Sequence, residues 1–353
     1  MFGPASCAAR LALVSAGVLL TAACAGGGTG SAARPSEATT SAPAPTAAPI
    51  RTTTPAVRPR WPLTGLPAGT RASGPALSIK VDNAPQARPQ SGLNEADLVF
   101  EVLVEGGLSR FMAVYQSHSA ELVGPIRSAR PVDGALLRAL NGGLFAYSGA
   151  ADGEIAPVKA YSHAFLLSRD AQPAPFIRLR SRQAPQNVYA STQVLRDNAV
   201  SQGANEPAPP MLFTYGTPPL RSARVADIQV TIGSAATASW TRSGGEYLRS
   251  ENGTPHLLAD GSRVAATNVV ILRVDVVGSG IRDAAGNEDP FVRAYGSGEA
   301  MVFCNGVIER GHWSRPTVTS RFAFTSSTGG PMLLQPGRTW VELVPKASSV
   351  EVH

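Results

Sequence analysis

From residue 76 onward the chain alternates short apolar runs with polar turns. Residues 76–81 (ALSIKV), 97–104 (DLVFEVLV) and 111–116 (FMAVYQ) are short and rich in Val, Leu and Phe, which predicts β-strands. Residues 133–140 (DGALLRAL) space their apolar positions three and four apart, which predicts a helix stopped by Gly142-Gly143. Residues 144–148 (LFAYS) predict a return to strand. Strands separated by helix and loop predict an α/β or α+β N-terminal domain. Polar residues follow the strand ends, where open α/β sheets bind ligands. Residues 196–222 are rich in Pro and turn formers and predict a boundary. Beyond it, apolar runs at 226–232, 268–277, 301–304 and 340–344 predict a mainly β C-terminal domain. Asn252-Gly253 and Asn305-Gly306 predict hairpins, because Asn-Gly suits the positive φ that a type I′ turn needs at both central positions.

The first sixty residues have a different pattern. Arg10 precedes an apolar stretch at 11–20, then Thr21-Ala22-Ala23-Cys24, which predicts a secretory signal ending in a lipobox-like site. Cleavage before Cys24 would leave a diacylated cysteine, and two chains anchor stably where one does not. Residues 25–60 are dominated by Gly, Ser, Thr, Ala and Pro, with almost no large aliphatic residue to bury, and predict a tether. The expected organisation is a signal peptide at 1–23, lipidated Cys24 and tether at 24–60, an α/β domain at 61–200 and a linker at 201–222. A β-rich domain at 223–346 and a tail at 347–353 complete it. The expected location is the outer face of the cytoplasmic membrane, facing the cell wall, with the bilayer as partner through Cys24.

Composition narrows the chemistry. The net charge of +6 resides largely in the first sixty residues, leaving 26 basic against 24 acidic residues in 61–353. A nearly neutral folded part gives no reason to expect nucleic acid. Five scattered His and three Cys predict no metal site, and nothing predicts a cofactor. Cys304 has no partner in the mature chain and reads as a buried small hydrophobe. Trp240, Trp313 and Trp340 suit either sugar stacking or core burial, the second being the commoner use.

Arg110, Arg127 and Arg130 form the densest polar cluster, with Lys80 and Arg88 near in sequence. Arg127, Ser128 and Arg130 lie in GPIRSARP (124–131), a loop shaped by Gly124 and Pro125. Guanidiniums around one cleft clamp phosphate or carboxylate. Lys80, Arg88, Arg110, Arg127, Ser128, Arg130 and Asn187 are therefore the candidate ligand-binding residues. Asp82, Glu101 and Glu105 are the candidate catalytic carboxylates, with Asp133 also opposing the arginines. The same charges equally fit internal salt bridges around a core. Glu101 and Glu105, four apart in a strand, would share a face about 13 Å apart. That is too far for paired-carboxylate glycoside hydrolysis unless Gly106-Gly107 bends the chain.

Longer motifs carry a resemblance. PLTGLP (62–67), IKVDN (79–83), ARPQSGL (87–93), ADLVFEVLVEGGLSRFMAVYQS (96–117), GPIRSARP (124–131), SRQAPQNVY (181–189), GSG (278–280) and PGRTWVEL (336–343) resemble the YerB-like bacterial lipoproteins. That family is a domain of unknown function in N- and C-terminal parts. The resemblance implies a two-part architecture and an envelope location, and no reaction. Family members often carry Ala-Pro-His-Asn where this chain has Gln186 before Asn187. The layout of residues 97–148 is also similar to that of LytR-CpsA-Psr wall-polymer ligases, although their motifs are absent. That layout implies a wall-glycan-phosphate or polyprenyl-pyrophosphate-like ligand for the arginines. An envelope protein partner is the remaining expectation for a non-enzymatic binding module, and an enzyme acting on wall glycan or a phosphate-linked glycan is the alternative.

Overall fold

A computed structural model describes residues 59–69, 74–217, 223–282 and 286–353; Cys24 and most of the tether lie outside the described residues. The N-terminal region supplies β1 (Leu77–Asp82), β2 (Leu98–Leu103), β3 (Ser109–Tyr115), β4 (Leu144–Tyr147) and β5 (Phe165–Ser168), which lie side by side in the order β2-β3-β1-β4-β5. β3 runs antiparallel to both neighbours, and β4 and β5 add in parallel. A parallel pair needs a crossover, and α2 (Asp152–Ser162) supplies it between β4 and β5. The sequence pattern does not mark α2, whose Gly153 and Pro157 are poor helix formers.

The sheet does not stop at β2. Strand Thr339–Pro345 pairs with β2 in parallel, from Leu98↔Thr339 to Val102↔Leu343. Strands Asn268–Val274, Gly296–Cys304, Val307–Arg315 and Ala323–Ser326 continue outward from it. One eleven-stranded sheet thus takes strands from both regions of the chain. The three α-helices of the described residues are N-terminal, and the C-terminal region is mainly β, as its pattern predicts. A second sheet, in the order Thr254–Pro255, Glu246–Glu251, Ala236–Ser243, Asp227–Gly233 and Val350–Val352, is wholly C-terminal.

The large sheet is covered on both faces, so its central strands read as continuous apolar runs. On one face α1 (Pro131–Ala139) and α2 pack on Phe100, Val102, Met112, Val114, Val341 and Leu343. On the other, the second sheet and α3 (Thr192–Ser201) cover Val99, Phe111, Ala113 and Trp340. α1 begins two residues before the predicted helix, because Pro131 suits the first helical position and Asp133 accepts the Arg130 N–H at 2.7 Å. α1 and α2 cross closely at Gly134, where a Cβ would lie 2.5 Å from the Pro157 carbonyl oxygen.

Both Asn-Gly sites form two-residue turns with positive φ at each position, closing Glu251↔Thr254 and Cys304↔Val307. The single strand expected over 268–277 divides at Asp275, and strand Val276–Arg282 leaves the sheet to pair with Glu288–Val292. Trp240, Trp313 and Trp340 are all core residues, so the sugar-stacking reading does not hold. Cys304 is buried and its thiol is pushed up to about 11 by that burial, which makes it unreactive. Part of the Pro-rich segment is also anchored: Leu212 and Phe213 are buried and Thr214–Tyr215 pairs with Leu333–Leu334.

Candidate functional site

β1 ends at Asp82, where three loops converge. Asp82 N–H donates to the Pro125 carbonyl and Arg127 N–H to the Lys80 carbonyl, each at 2.9 Å. Ile126 N–H donates to the Val188 carbonyl at 2.6 Å. The Arg182 guanidinium donates to the carbonyls of Gln86, Arg88 and Pro89 and to the Tyr189 hydroxyl, tying the 179–190 segment to the 85–90 segment.

Most of the charges singled out in the sequence collect on the helix-covered face. Lys80 Nζ lies 2.7 Å from Asp133 Oδ1, and both are fully buried. Asp133 thus caps α1 with one oxygen and neutralises Lys80 with the other. Burial lowers the Lys80 pKa, with Asp133 opposing. Arg110 and Arg130 converge on Glu105. Burial alone would raise the Glu105 pKa, but the Arg130 hydrogen bond and the two cationic charges hold it down at about 2. Arg130 also reaches Glu154 at 3.1 Å and Asp289 at 3.4 Å. Neither Asp289 oxygen has a hydrogen-bond partner, and burial raises its pKa to about 7 against the pull of Arg130.

A second ionic cluster occupies the opposite face, between the two sheets. Arg249 is fully buried and donates to both oxygens of Glu101, at 2.9 and 2.7 Å, and pairs with Glu251 at 2.6 Å. Its guanidinium carbon lies 5.2–5.9 Å from the ring centroids of Phe111, Trp240 and Trp340. Arg249 Nη1 approaches His256 Nδ1 at 2.7 Å, so Nδ1 is the acceptor and Nε2–H donates to Gln90 Oε1. Burial and the Arg249 charge hold His256 well below its ordinary pKa, consistent with that neutral tautomer. Glu342, the cross-strand neighbour of Glu101, has its pKa raised well above the ordinary value by burial and by the Glu101 charge.

Glu101 and Glu105 therefore lie on opposite sides of the sheet. The strand ends at Leu103, and the turn Glu105–Gly107, with Gly106 at φ 69°, swings Glu105 onto the helix-covered face. The expected same-face pair does not exist, and neither does paired-carboxylate chemistry between them.

The expected arginine clamp is largely closed. Arg110 and Arg130 are 4% and 5% exposed and committed to Glu105, and Lys80 and Glu101 are shut inside the molecule by Asp133 and Arg249. Close packing forces this, because a buried charge needs a partner of opposite sign. Three groups remain at the rim. Arg127 Nε lies 3.0 Å from Asp82 Oδ2, and the Arg127 side chain is 23% exposed. Gln186 Nε2 donates to the same Asp82 oxygen at 3.3 Å. The Arg88 side chain, 22% exposed, pairs with Glu251 at 3.2 Å and donates to the Asn83 carbonyl. It also lines a cavity of about 490 Å³ with Glu251, His256, Pro255 and Leu258. Ser128 presents its carbonyl to Arg110, and Asn187 accepts from Arg178.

Sequence reasoning missed Arg249, Glu251, Glu342 and Asp289. One signal was available: a lone charge inside an apolar strand, such as Glu342 within Thr339–Pro345, demands an internal partner. Nothing in the sequence indicated which residue that partner is.

Comparison with known proteins agrees with this architecture. The chain belongs to the DUF3048 family of proteins of unknown function: residues 63–205 match its N-terminal domain and residues 226–341 its C-terminal domain. It is 28% identical over 301 residues to "Putative lipoprotein YerB" of Bacillus subtilis (strain 168), covering 82% of this chain and 88% of that one. The crystal structure of the YerB protein from Bacillus subtilis superposes with a TM-score of 0.71 at 26% identity, over 83% of this chain and all of that one.

Proposed function

We propose that the chain is a lipid-anchored, extracytoplasmic envelope protein that binds an anionic ligand at the rim where β1 ends. The anchor reading rests on the signal-like N-terminus with Cys24, and is supported by a relative named as a lipoprotein. Cys24 would hold the protein at the outer face of the cytoplasmic membrane, and the tether would let it work in the wall. The ligand class is a wall glycan phosphate or polyprenyl pyrophosphate.

The observation that carries the binding reading is Arg127. Unlike Arg110 and Arg130 its side chain is partly solvent-exposed; its Nε is buried 3.0 Å from Asp82, and its terminal nitrogens make no hydrogen bond among the described residues. Exposed guanidinium nitrogens suit an incoming phosphate oxygen. Arg110 and Arg130 then serve from beneath. They donate to the Ser128 and Ala129 carbonyls, at 3.1 and 2.8 Å, and so hold the loop that presents Arg127. Ser128, Asn187 and Arg88 belong to the surrounding rim.

Asp82 beside Arg127 supports a second reading, an envelope enzyme acting on wall glycan or a phosphate-linked glycan with Asp82 as general base. One experiment separates the two. Full-length chain in detergent is challenged with wall fractions and with a polyprenyl-pyrophosphate glycan, following thermal stabilisation and product mass. The binding reading expects stabilisation without product, abolished by Arg127→Ala. Product that disappears in Asp82→Asn would establish the enzyme. No response to either ligand would sink the anionic reading and leave an envelope protein partner to be sought.

A further inference from the structure

Four arginines are buried among the described residues, and three of them, Arg110, Arg130 and Arg249, sit against carboxylates. Arg315 does not. Its side chain is fully buried and donates only to the carbonyl oxygens of Ala135, Ala294, Val318 and Ser320. Buried charges are ordinarily paired, so an internal cation without an acid is a departure that needs a reason.

Arg315 underlies a cavity of about 470 Å³ at the C-terminal end of α1. Arg138, Arg321, His163, Glu206, Phe322 and Met211 are among its lining. The Phe322 ring sits 5.0 Å from the Arg315 guanidinium carbon and stacks on Phe324 at 5.8 Å, so Arg315 and the aromatic pair hold the turn that presents Arg321. The side chains of Arg138 and Arg321 form no ion pair or hydrogen bond among the described residues. Arg138 is near enough to Arg315 to help burial push its pKa down to about 10, so the positive charges add here. Arg138 and Arg321 line the cavity and Arg315 lies behind its Ser320 and Phe322 walls, against one lining carboxylate, Glu206. The ends of α1 and α2, the latter capped by His163, contribute roughly half a negative charge each. About one positive charge is left in excess.

We propose that this cavity is a second binding site, for a small oxyanion: a carboxylate or phosphate carried on an apolar or aromatic body. Arg138 and Arg321 take the anion, and Phe322 and Met211 face the body of the ligand. The site is independent of Arg127. Arg130 and Arg138 stand at opposite ends of α1, roughly 12 Å apart at 1.5 Å of rise per residue.

The test uses full-length chain in detergent, titrated calorimetrically with phenyl phosphate, benzoate and the neutral control benzyl alcohol. At least one anion is expected to bind while benzyl alcohol does not, and the better of the two identifies the anionic group. Affinity should fall at least tenfold in the Arg138→Gln, Arg321→Gln double variant and stay unchanged in Arg127→Ala. Arg321→Gln alone removes an exposed side chain without internal contacts, so it folds, and a several-fold loss is expected there. Equal binding of benzyl alcohol, absence of binding by both anions, or binding that survives the double variant would each overturn the proposal. Loss in Arg127→Ala alone would assign the anion to the β1 rim instead.

Discussion

Two buried ionic clusters lie on opposite faces of β2 and β3, and they differ in how they meet solvent. Arg249, Glu101 and Glu342 are sealed between two sheets and ringed by Phe111, Trp240 and Trp340, and their cluster meets solvent through Glu251, which pairs with the 22% exposed Arg88. Lys80, Arg110, Arg130, Glu105 and Asp133 are equally buried or nearly so, and Arg110 reaches through the Ser128 carbonyl to the loop that carries the partly exposed Arg127, whose partner Asp82 is itself buried. The Arg249 cluster ties the two sheets together and ends at Arg88. The Arg110 and Arg130 cluster instead organises the loop that carries Arg127. Burial of charge is common to both and so identifies neither as a site. What separates them is how the cation at each edge is held: Arg88 is tied to Glu251 and the Asn83 carbonyl, while Arg127 has Asp82 alone beside its Nε.

The sharpest way to break this comparison is at the Arg249 cluster. Arg249→Met leaves the fully buried Glu101 without its cation and Glu251 with Arg88 alone, and should cost about 3–5 kcal/mol in urea unfolding. A loss below about 1 kcal/mol would mean that proton uptake replaces the guanidinium and that the charge holds nothing. On the other face, Glu105→Gln removes the shared partner of Arg110 and Arg130 and should cost about 2–4 kcal/mol, because those arginines remain buried.

Asp289 sharpens the comparison by pH. Its folded pKa of about 7 lies above its ordinary 3.8, so the folded state holds the proton more tightly. Stability is thus fully present below about pH 4 and is lost as pH rises toward 7. Glu105, held at about 2, acts oppositely: its contribution is present above its ordinary 4.5 and is lost as pH falls toward 2. Asp289→Asn should therefore raise the melting temperature over wild type at pH 8, with the gap closing by pH 4. A gap independent of pH would show that Asp289 is not protonated in the folded protein at neutral pH. The smallest effect belongs to the rim. Arg127→Ala breaks a partly exposed pair and should change stability by about 1 kcal/mol or less, while removing any stabilisation by an anionic ligand. A large loss of stability would place Arg127 with the buried network.

Local signals were readable where local physics decides. β1 to β4 follow their apolar runs, and both hairpins follow Asn-Gly, because positive φ is a property of those two residues alone. α2 was hidden by Gly153 and Pro157, and tertiary contact with α1 at Gly134 overrides its weak propensity. At the candidate site, the grouping of Arg110, Arg127 and Arg130 with Glu105 and Asp82 was visible as a charge cluster. Whether each charge pointed outward or inward was not, since strand alternation puts Arg110 and Phe111 on opposite faces and the Gly106 turn carries Glu105 over.

The sequence by itself determined the class of each region, a mixed N-terminal part and a β C-terminal part, through patterns that act within a few residues. It also carried the family motifs and the chemistry available at each position. Tertiary structure alone decided that the two regions share one sheet through β2 and Thr339–Pro345, some 240 residues apart in the chain. It alone decided that Glu101 meets Arg249, that Arg315 has no acid, and that Arg127 and Arg88 are the cations left at the rim. Those outcomes depend on which distant surfaces exclude water together. That is a property of the assembled layers, and no window of sequence contains it.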